Sequence, residues 1–232
     1  MTDERTPGLV LHSPGGTRFH FDPGTLCLEL LPTGGPGPYT RYEVLHRPDD
    51  LADWAGRCRL GLPSGTVRIT DEQLAAVRAL RDALWRLTAA RANGDGPGDP
   101  DDYEVVNRAA AHAPLAPRIS PDGTAADPLP GDGDQLASTV ARDAIALFTG
   151  PYADRVRECG ADNCSLLFVD TSRPGRRRWC SMERCGNRHK VRALRARRDR
   201  PEGAGASVES GGTGASVRSA GSGSGSGSGS DQ

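Results

Sequence analysis

The stretch "CGADNCSLLFVDTSRPGRRRWCSMERCGNRHKVRALRARR", residues 159–198, carries more information than any other part of this chain. Cys159 and Cys164 form one C-x4-C pair, and Cys180 and Cys185 form a second, with 15 residues between the pairs. Two close cysteine pairs around a hairpin-sized insert match a four-thiolate structural zinc site. Zinc favours tetrahedral thiolate coordination, and each pair can supply one edge of the tetrahedron. Four thiolates leave no open position for water, so one such ion would be structural rather than catalytic. The alternative is four reduced thiols in ordinary packing roles. His189, just past the second pair, is an alternative ligand.

The insert reads as a hairpin. "SLLFVDTS" is strand-like, "RPG" is a turn, and "RRRWC" returns to the second pair. Ser181 then stands where it could cap a helix entered at Met182 and running to about Asp199. Knuckle, hairpin and helix in that order make a treble-clef-like, four-cysteine zinc finger. Structural zinc contributes about 10–16 kcal/mol in finger peptides, and so small a segment with few apolar residues needs it to fold.

The same region concentrates charge. From Arg173 to Arg200 there are eleven Arg and one Lys against Glu183 and Asp199, a net of +10. The whole chain of 232 residues carries −1, so the remainder carries −11. A basic working segment on an acidic body suits a polyanionic partner. On the predicted helix Arg184, Arg188, Arg192 and Arg195 share one face, while Val191 and Leu194 lie on another that suits packing. Arg176, Arg177 and Arg178 come from the hairpin. Guanidinium groups bind phosphates bidentately and also read guanine, so Arg176, Arg177, Arg178, Arg188, Arg192 and Arg195 are the candidate DNA contacts. Trp179 could stack on a base, but packing beside the metal is the simpler reading. The alternative for the Arg face is a solvated helix in an Arg-rich chain, since Lys190 is the single lysine.

Upstream, the chain reads as a mainly α body with small β-hairpins, an α+β class. "TRFHFDPGTLCLELLPT" suggests a hairpin turning at Asp22-Pro23-Gly24. A short helix is expected from about Asp50 to Arg59, closed by Gly61. The clearest helix spans 71–92, with a Thr70/Gln73 capping box, a stripe of Leu74, Val77, Leu80, Leu84 and Leu87, and Asn93-Gly94 at its end. Asp99 and Pro100 open another helix to about His112. A weak hairpin is expected near Ile119 and Ala125, then a helix with Leu136, Val140, Ala144 and Leu147 on its apolar face. Cys27 and Cys58 stand alone among apolar residues and read as core thiols. After Arg200 the composition turns to Gly and Ser, with five Gly-Ser pairs in a row near the end, and no core can form there. The expected division is a body over 1–150, a finger with a basic helix over 151–200, and a disordered Gly/Ser-rich tail over 201–232.

The run from about Val156 to Arg198 resembles the CGNR zinc-finger family, named for the motif at Cys185-Gly186-Asn187-Arg188. The likeness includes both cysteine pairs, the F-x-D-x-S run at Phe168, Asp170 and Ser172, and "RRWCSM". In that family the finger follows an N-terminal ABATE domain, a domain named for stress-induced transcription regulation. Residues about 18–150 are similar to it in layout. The family's first segment carries an L-D-x-x-N-T-like run, whereas this chain has Glu29 in place of the Asp and Leu31-Pro32 before Thr33.

The resemblance and the charge together imply a zinc-containing, DNA-binding transcription regulator whose N-terminal domain senses or dimerises. The alternative is an interaction module whose finger docks a protein or RNA. No nucleophile–base pair at a recognised spacing, Gly-rich phosphate loop or metal triad points to an enzyme. His12, His20, His46 and His112 are scattered and read as surface or packing residues. No apolar run reaches membrane-spanning length, and the N-terminus has no hydrophobic signal region, so a cytoplasmic protein without a membrane partner is expected. A lone finger discriminates DNA sites weakly, which makes a homodimer a candidate arrangement.

Overall fold

The computed structural model describes residues 7–198 apart from Pro14 and Ala125. The Gly/Ser tail and the last residues of the expected basic helix lie outside them.

The organising element is the long helix α3 (Asp71–Asn93). Its start is fixed by the expected capping box: the Gln73 amide donates to Thr70 Oγ1 at 3.2 Å, and the Thr70 amide donates to Gln73 Oε1 at 3.1 Å. Its end is fixed by Gly94, whose φ of 76° lets the chain leave in the left-handed region. Between these ends Leu74, Val77, Leu80, Leu84 and Leu87 are all buried. Burying each contributes about 2 kcal/mol. This stripe packs against α4 (Pro100–Ala110) and α5 (Gly133–Thr149), which also pack on one another. The Asp99 carboxylate caps α4 by accepting from the Asp101 amide at 2.9 Å. α5 brings the expected buried face of Leu136, Val140, Ala144 and Leu147.

The N-terminal segment departs from expectation. A hairpin is present, but it pairs β1 (Leu9–His12) with β2 (Arg18–Phe21) and turns at residues 13–17. Asp22-Pro23-Gly24 instead ends β2. There Asp22 Oδ1 accepts from the Gly24 amide at 2.8 Å, and the chain then enters the helix α1 (Leu26–Leu30). All five α1 residues are buried, and the helix packs on α5. An apolar run buried on every side cannot be told from a strand by periodicity alone. α2 (Pro48–Arg57) begins where the Asp50 carboxylate accepts from the amides of His46 and Arg47, at 2.9 and 2.8 Å.

Short strands complete the frame. β4 (Pro117–Ile119) pairs with β5 (Ala126–Pro128), and Ile119 faces Ala126, close to where the hairpin was expected. β3 (Val67–Arg68) and β6 (Gly131–Asp132) form a two-residue parallel bridge that ties the entrances of α3 and α5 together. Last come β7 (Val156–Glu158) and β8 (Leu167–Val169), an antiparallel pair packed on α3. Val156, Leu167 and Val169 belong to the main core, whereas Phe19, Phe21 and Phe168 form a second, smaller core with Cys159, Cys180 and Cys185. The body therefore lends two phenylalanines to the cysteine cluster, and the finger lends three side chains to the body.

Candidate metal centre and basic surface

The β7–β8 pair places the first two cysteines. Cys159 follows β7, and its amide donates to the Leu166 carbonyl at 3.0 Å, so the chain between them folds into a knuckle carrying Cys164. The expected hairpin partner of β8 was the "RRRWC" return, but β8 pairs instead with the strand ahead of Cys159. Residues 176–179 have no regular structure and are anchored by single bonds, among them Gly160 amide to Arg178 carbonyl at 3.0 Å.

The second pair is held by a wide turn. Met182–Gly186 form a π-helical turn leading into α6 (Asn187–Arg198). Ser181 starts it through its backbone carbonyl, which accepts from the amides of Cys185 and Gly186 at 3.0 and 3.1 Å, and not through the expected side-chain cap. Gly186 is buried in this turn, and a Cβ there would lie 2.7 Å from Met182 Sδ, so a larger residue would have to displace the end of that exposed side chain.

These elements bring the four sulfurs of Cys159, Cys164, Cys180 and Cys185 within 4.8 Å of one another. Cys180 Sγ stands 3.6 Å from both Cys164 Sγ and Cys185 Sγ. A zinc–sulfur bond of about 2.3 Å places tetrahedral sulfurs about 3.8 Å apart, so the cluster fits one zinc ion. The chemistry agrees. The sulfurs interact strongly: hydrogen bonds among them, first from Cys164, draw Cys159 down, and the bond to Cys159 pushes Cys164 up. Cys180 is likewise raised, first by its bond to Cys159. A divalent cation resolves these opposed shifts by deprotonating coordinated thiols. His189 takes no part in the cluster and lies against the Trp179 ring, with centroids 4.8 Å apart.

Donors around the sulfurs offset the charge that four thiolates would bring. The Cys180 amide donates to Cys159 Sγ at 3.4 Å, and Arg188 Nη2 donates to Cys185 Sγ at 3.4 Å. Arg184 Nη1 lies 3.9 Å from Cys164 Sγ, with its guanidinium over the Phe19 ring. Such contacts orient metal ligands and tune their basicity. The role of Arg184 and Arg188 toward sulfur was not legible in their spacing.

Below the centre lies a polar hub that sequence reasoning also missed. Asp170 is fully buried and accepts from the amides of Ser172 and Arg177, at 3.0 and 2.8 Å, and from the Ser172 hydroxyl. Burial alone would push its carboxyl up, but these bonds, that of the Ser172 hydroxyl foremost, hold it below its ordinary value of 3.8. The Arg177 guanidinium donates to the carbonyls of Asp22 at 3.0 Å, Cys180 at 2.6 Å and Trp179 at 3.1 Å, and stacks on Phe168. Arg177 therefore fastens the finger to the body instead of facing outward. The Val169 amide adds a bond to the Pro23 carbonyl at 2.8 Å beside Gly24, which has a positive φ of 97° and would place a Cβ 3.2 Å from the Val169 side chain. Asp22 and Glu29 in turn bind Arg59, whose Nη2 is 3.0 Å from the Asp22 carboxylate and whose Nε is 2.9 Å from Glu29. Glu29 thus has an internal ionic partner.

The remaining candidate arginines divide clearly. Arg176, Arg178, Arg192 and Arg195 are exposed, and Arg192 pairs with the exposed Asp162, at 3.0 Å. Trp179 contacts the His189 ring and the Arg178 guanidinium and packs against the cluster that holds the cysteines, the packing role expected of it. Val191 and Leu194, expected to pack, are 46% and 59% exposed. Cys27 and Cys58 are buried core thiols; burial pushes the first well up and the second to about 11. Among the described residues no helix is long and apolar enough to cross a membrane.

Comparison with known families agrees with this geometry. No curated protein matches the chain. The CGNR zinc finger family matches residues 155–198, the segment that gathers the four sulfurs. The ABATE family, described as "putative stress-induced transcription regulator", matches residues 24–151. That match alone spans more than half of the sequence, and the chain belongs to the ABATE family, with a CGNR zinc finger following the ABATE region.

Proposed function

We propose that the protein is a zinc-containing DNA-binding transcription regulator that acts by binding rather than by catalysis. The unit over residues 151–200 contacts DNA, and the body over 1–150 senses a signal or dimerises. Cys159, Cys164, Cys180 and Cys185 hold the ion. Arg176, Arg178, Arg192 and Arg195 make the phosphate or base contacts, while Arg177 and Arg188 position the surface from behind. The observation that carries this reading is the set of exposed cations in the segments that flank the second cysteine pair: Arg176 and Arg178 on the loop, Lys190, Arg192, Arg195, Arg197 and Arg198 on α6. A shallow cavity of about 470 Å3, lined by Arg176, Arg178, Trp179 and Met182 among others, lies beside the metal and suits a backbone phosphate. The family's regulatory description points the same way.

Selection of genomic fragments by the purified, zinc-loaded protein tests the proposal. Reproducible enrichment of one sequence motif supports a regulator. Retention of DNA with no motif, or of protein or RNA partners in its place, supports the interaction-module reading and overturns the regulator.

A further inference from the structure

The body and the finger enclose a cleft of about 1330 Å3. Its floor comes from the body: Leu28 of α1, Trp54 of α2, Trp85 of α3, and Tyr39, which packs on Trp85 with ring centroids 4.5 Å apart. The β1–β2 hairpin forms one side. The opposite wall is the knuckle at residues 162–167, with Cys164 itself in the lining. Cavities with aromatic and aliphatic floors and a few placed polar groups are the usual form of small-molecule sites, and this one is larger than most.

The charge of the lining is one-sided. Arg18, Arg41, Arg57 and Arg184 line the cleft, and Asp162 is the single acid among the lining residues. That acid is bound by Arg192. Arg18 has no ion-pair partner among the described residues, and Arg57 uses its Nε on the Asp53 carbonyl, leaving its terminal nitrogens free of protein acceptors there. Two lining side chains also carry buried nitrogens without a partner among the described residues, His20 Nε2 and Arg184 Nε. Unsatisfied buried polar atoms are rare, and a bound polar group is one of their ordinary explanations.

We propose that this cleft binds a small amphipathic anion, a molecule with an aromatic or long-chain apolar body and one carboxylate or equivalent acid group, and that its occupancy stiffens the knuckle carrying Cys159 and Cys164. The apolar body covers Trp54 and Trp85, and the acid group meets the arginines at the rim. The inference rests on the reading of the body as a sensing unit and gives that unit a ligand class. It does not depend on what the finger binds.

The test uses the zinc-loaded full chain and a matched pair of dyes: anilinonaphthalene sulfonate, an aromatic anion, and N-phenyl-1-naphthylamine, its uncharged counterpart. The anion should saturate at one site per chain, quench tryptophan fluorescence and slow amide exchange over residues 159–167. Replacing exposed rim cations, as R18Q/R41Q or separately Arg57→Gln, should weaken anion binding by about tenfold or more, the loss expected for one charge-assisted bond. Binding of the neutral dye should be unchanged. Zinc content and circular dichroism verify that each variant is folded. Non-saturating anion binding, equal affinity of parent and both variants for the anion, or unaltered exchange at the knuckle overturns the proposal. All readouts are taken without DNA, so a failure here is distinct from a failure of the regulator reading.

Discussion

Cys180→Ser removes the ligand at the centre of the sulfur cluster, and the structure sets how far the damage should spread. The serine keeps the backbone bonds of Cys180, whose amide faces Cys159 Sγ and whose carbonyl accepts from Arg177. What it loses is one thiolate of four. With the whole site worth about 10–16 kcal/mol, an equal share is on the order of 2.5–4 kcal/mol. Little else holds the C-terminal part: α6 has 12 residues, too short to be stable alone, and its Val191 and Leu194 are exposed. The β7–β8 pair is different, because Val156, Leu167 and Val169 are part of the main core. The substitution should therefore unfold the π-turn and α6, about a fifth of the residues in α1–α6 and that turn, and leave β7–β8 and the body intact. Hydrogen exchange of the full chain reads this directly, with loss of protection confined to about 180–198 and a matching loss of helical circular dichroism. A Cys180→Ser protein that keeps a full zinc complement and a protected α6 would refute the reasoning. So would one whose β7–β8 pair unfolds with the helix.

Three further perturbations test the packing that supports the centre. Arg81 is 1% exposed and binds the Glu43 carboxylate through two bonds of 2.8 Å, so Arg81→Ala should cost about 2–3 kcal/mol in chemical denaturation by leaving that carboxylate only the half-exposed Arg78, at 3.4 Å, and the Leu45 amide. Adding Glu43→Gln to that variant should recover part of the loss. Arg177→Ala strips partners from three carbonyls at once and should lower stability by about 2–4 kcal/mol, and zinc retention in a competitive chelator titration should fall with it. Asp170 has a folded value below its ordinary 3.8, so its contribution is full above that pH and is lost as pH falls through the lower folded value. Asp170→Asn should thus be less stable than the parent at neutral pH, with the difference shrinking on acidification; a constant difference from pH 7 to pH 2 contradicts the assignment.

How much of this was legible in the sequence depends on how local each signal is. The α3 boundaries were readable because a capping box and a terminal glycine act within a few residues, and the stripe between them repeats at the helical period. The metal ligands were readable because paired spacing is itself local. α1 was misread as a strand because its five residues are buried on all sides, which erases periodicity. The partner of β8 was misplaced because the true partner lies ahead of Cys159, outside the insert. Arg177 looked like its neighbours Arg176 and Arg178. Nothing in "RRR" separates the one that binds the Asp22 carbonyl, 155 positions away, from the two that face solvent. The Phe168, Asp170, Ser172 run was a usable sign of the polar hub, since Asp and Ser two residues apart commonly form a local hydrogen-bonded turn.

The central claim is that a metal-fixed surface of exposed arginines contacts DNA, and salt titration tests it most directly. Of the six candidate arginines four are exposed, while Arg177 and Arg188 are half-buried and already bonded, to carbonyls and to Cys185 Sγ, so the four are the proposed contacts. With four phosphate contacts, affinity of the zinc-loaded protein for duplex DNA should fall on the order of a hundredfold between 50 and 200 mM salt. Changing Arg176, Arg178, Arg192 and Arg195 to glutamine should flatten that dependence while zinc content stays at that of the parent. Parent affinity that does not respond to salt, or a quadruple variant with the parent's slope, would contradict the account.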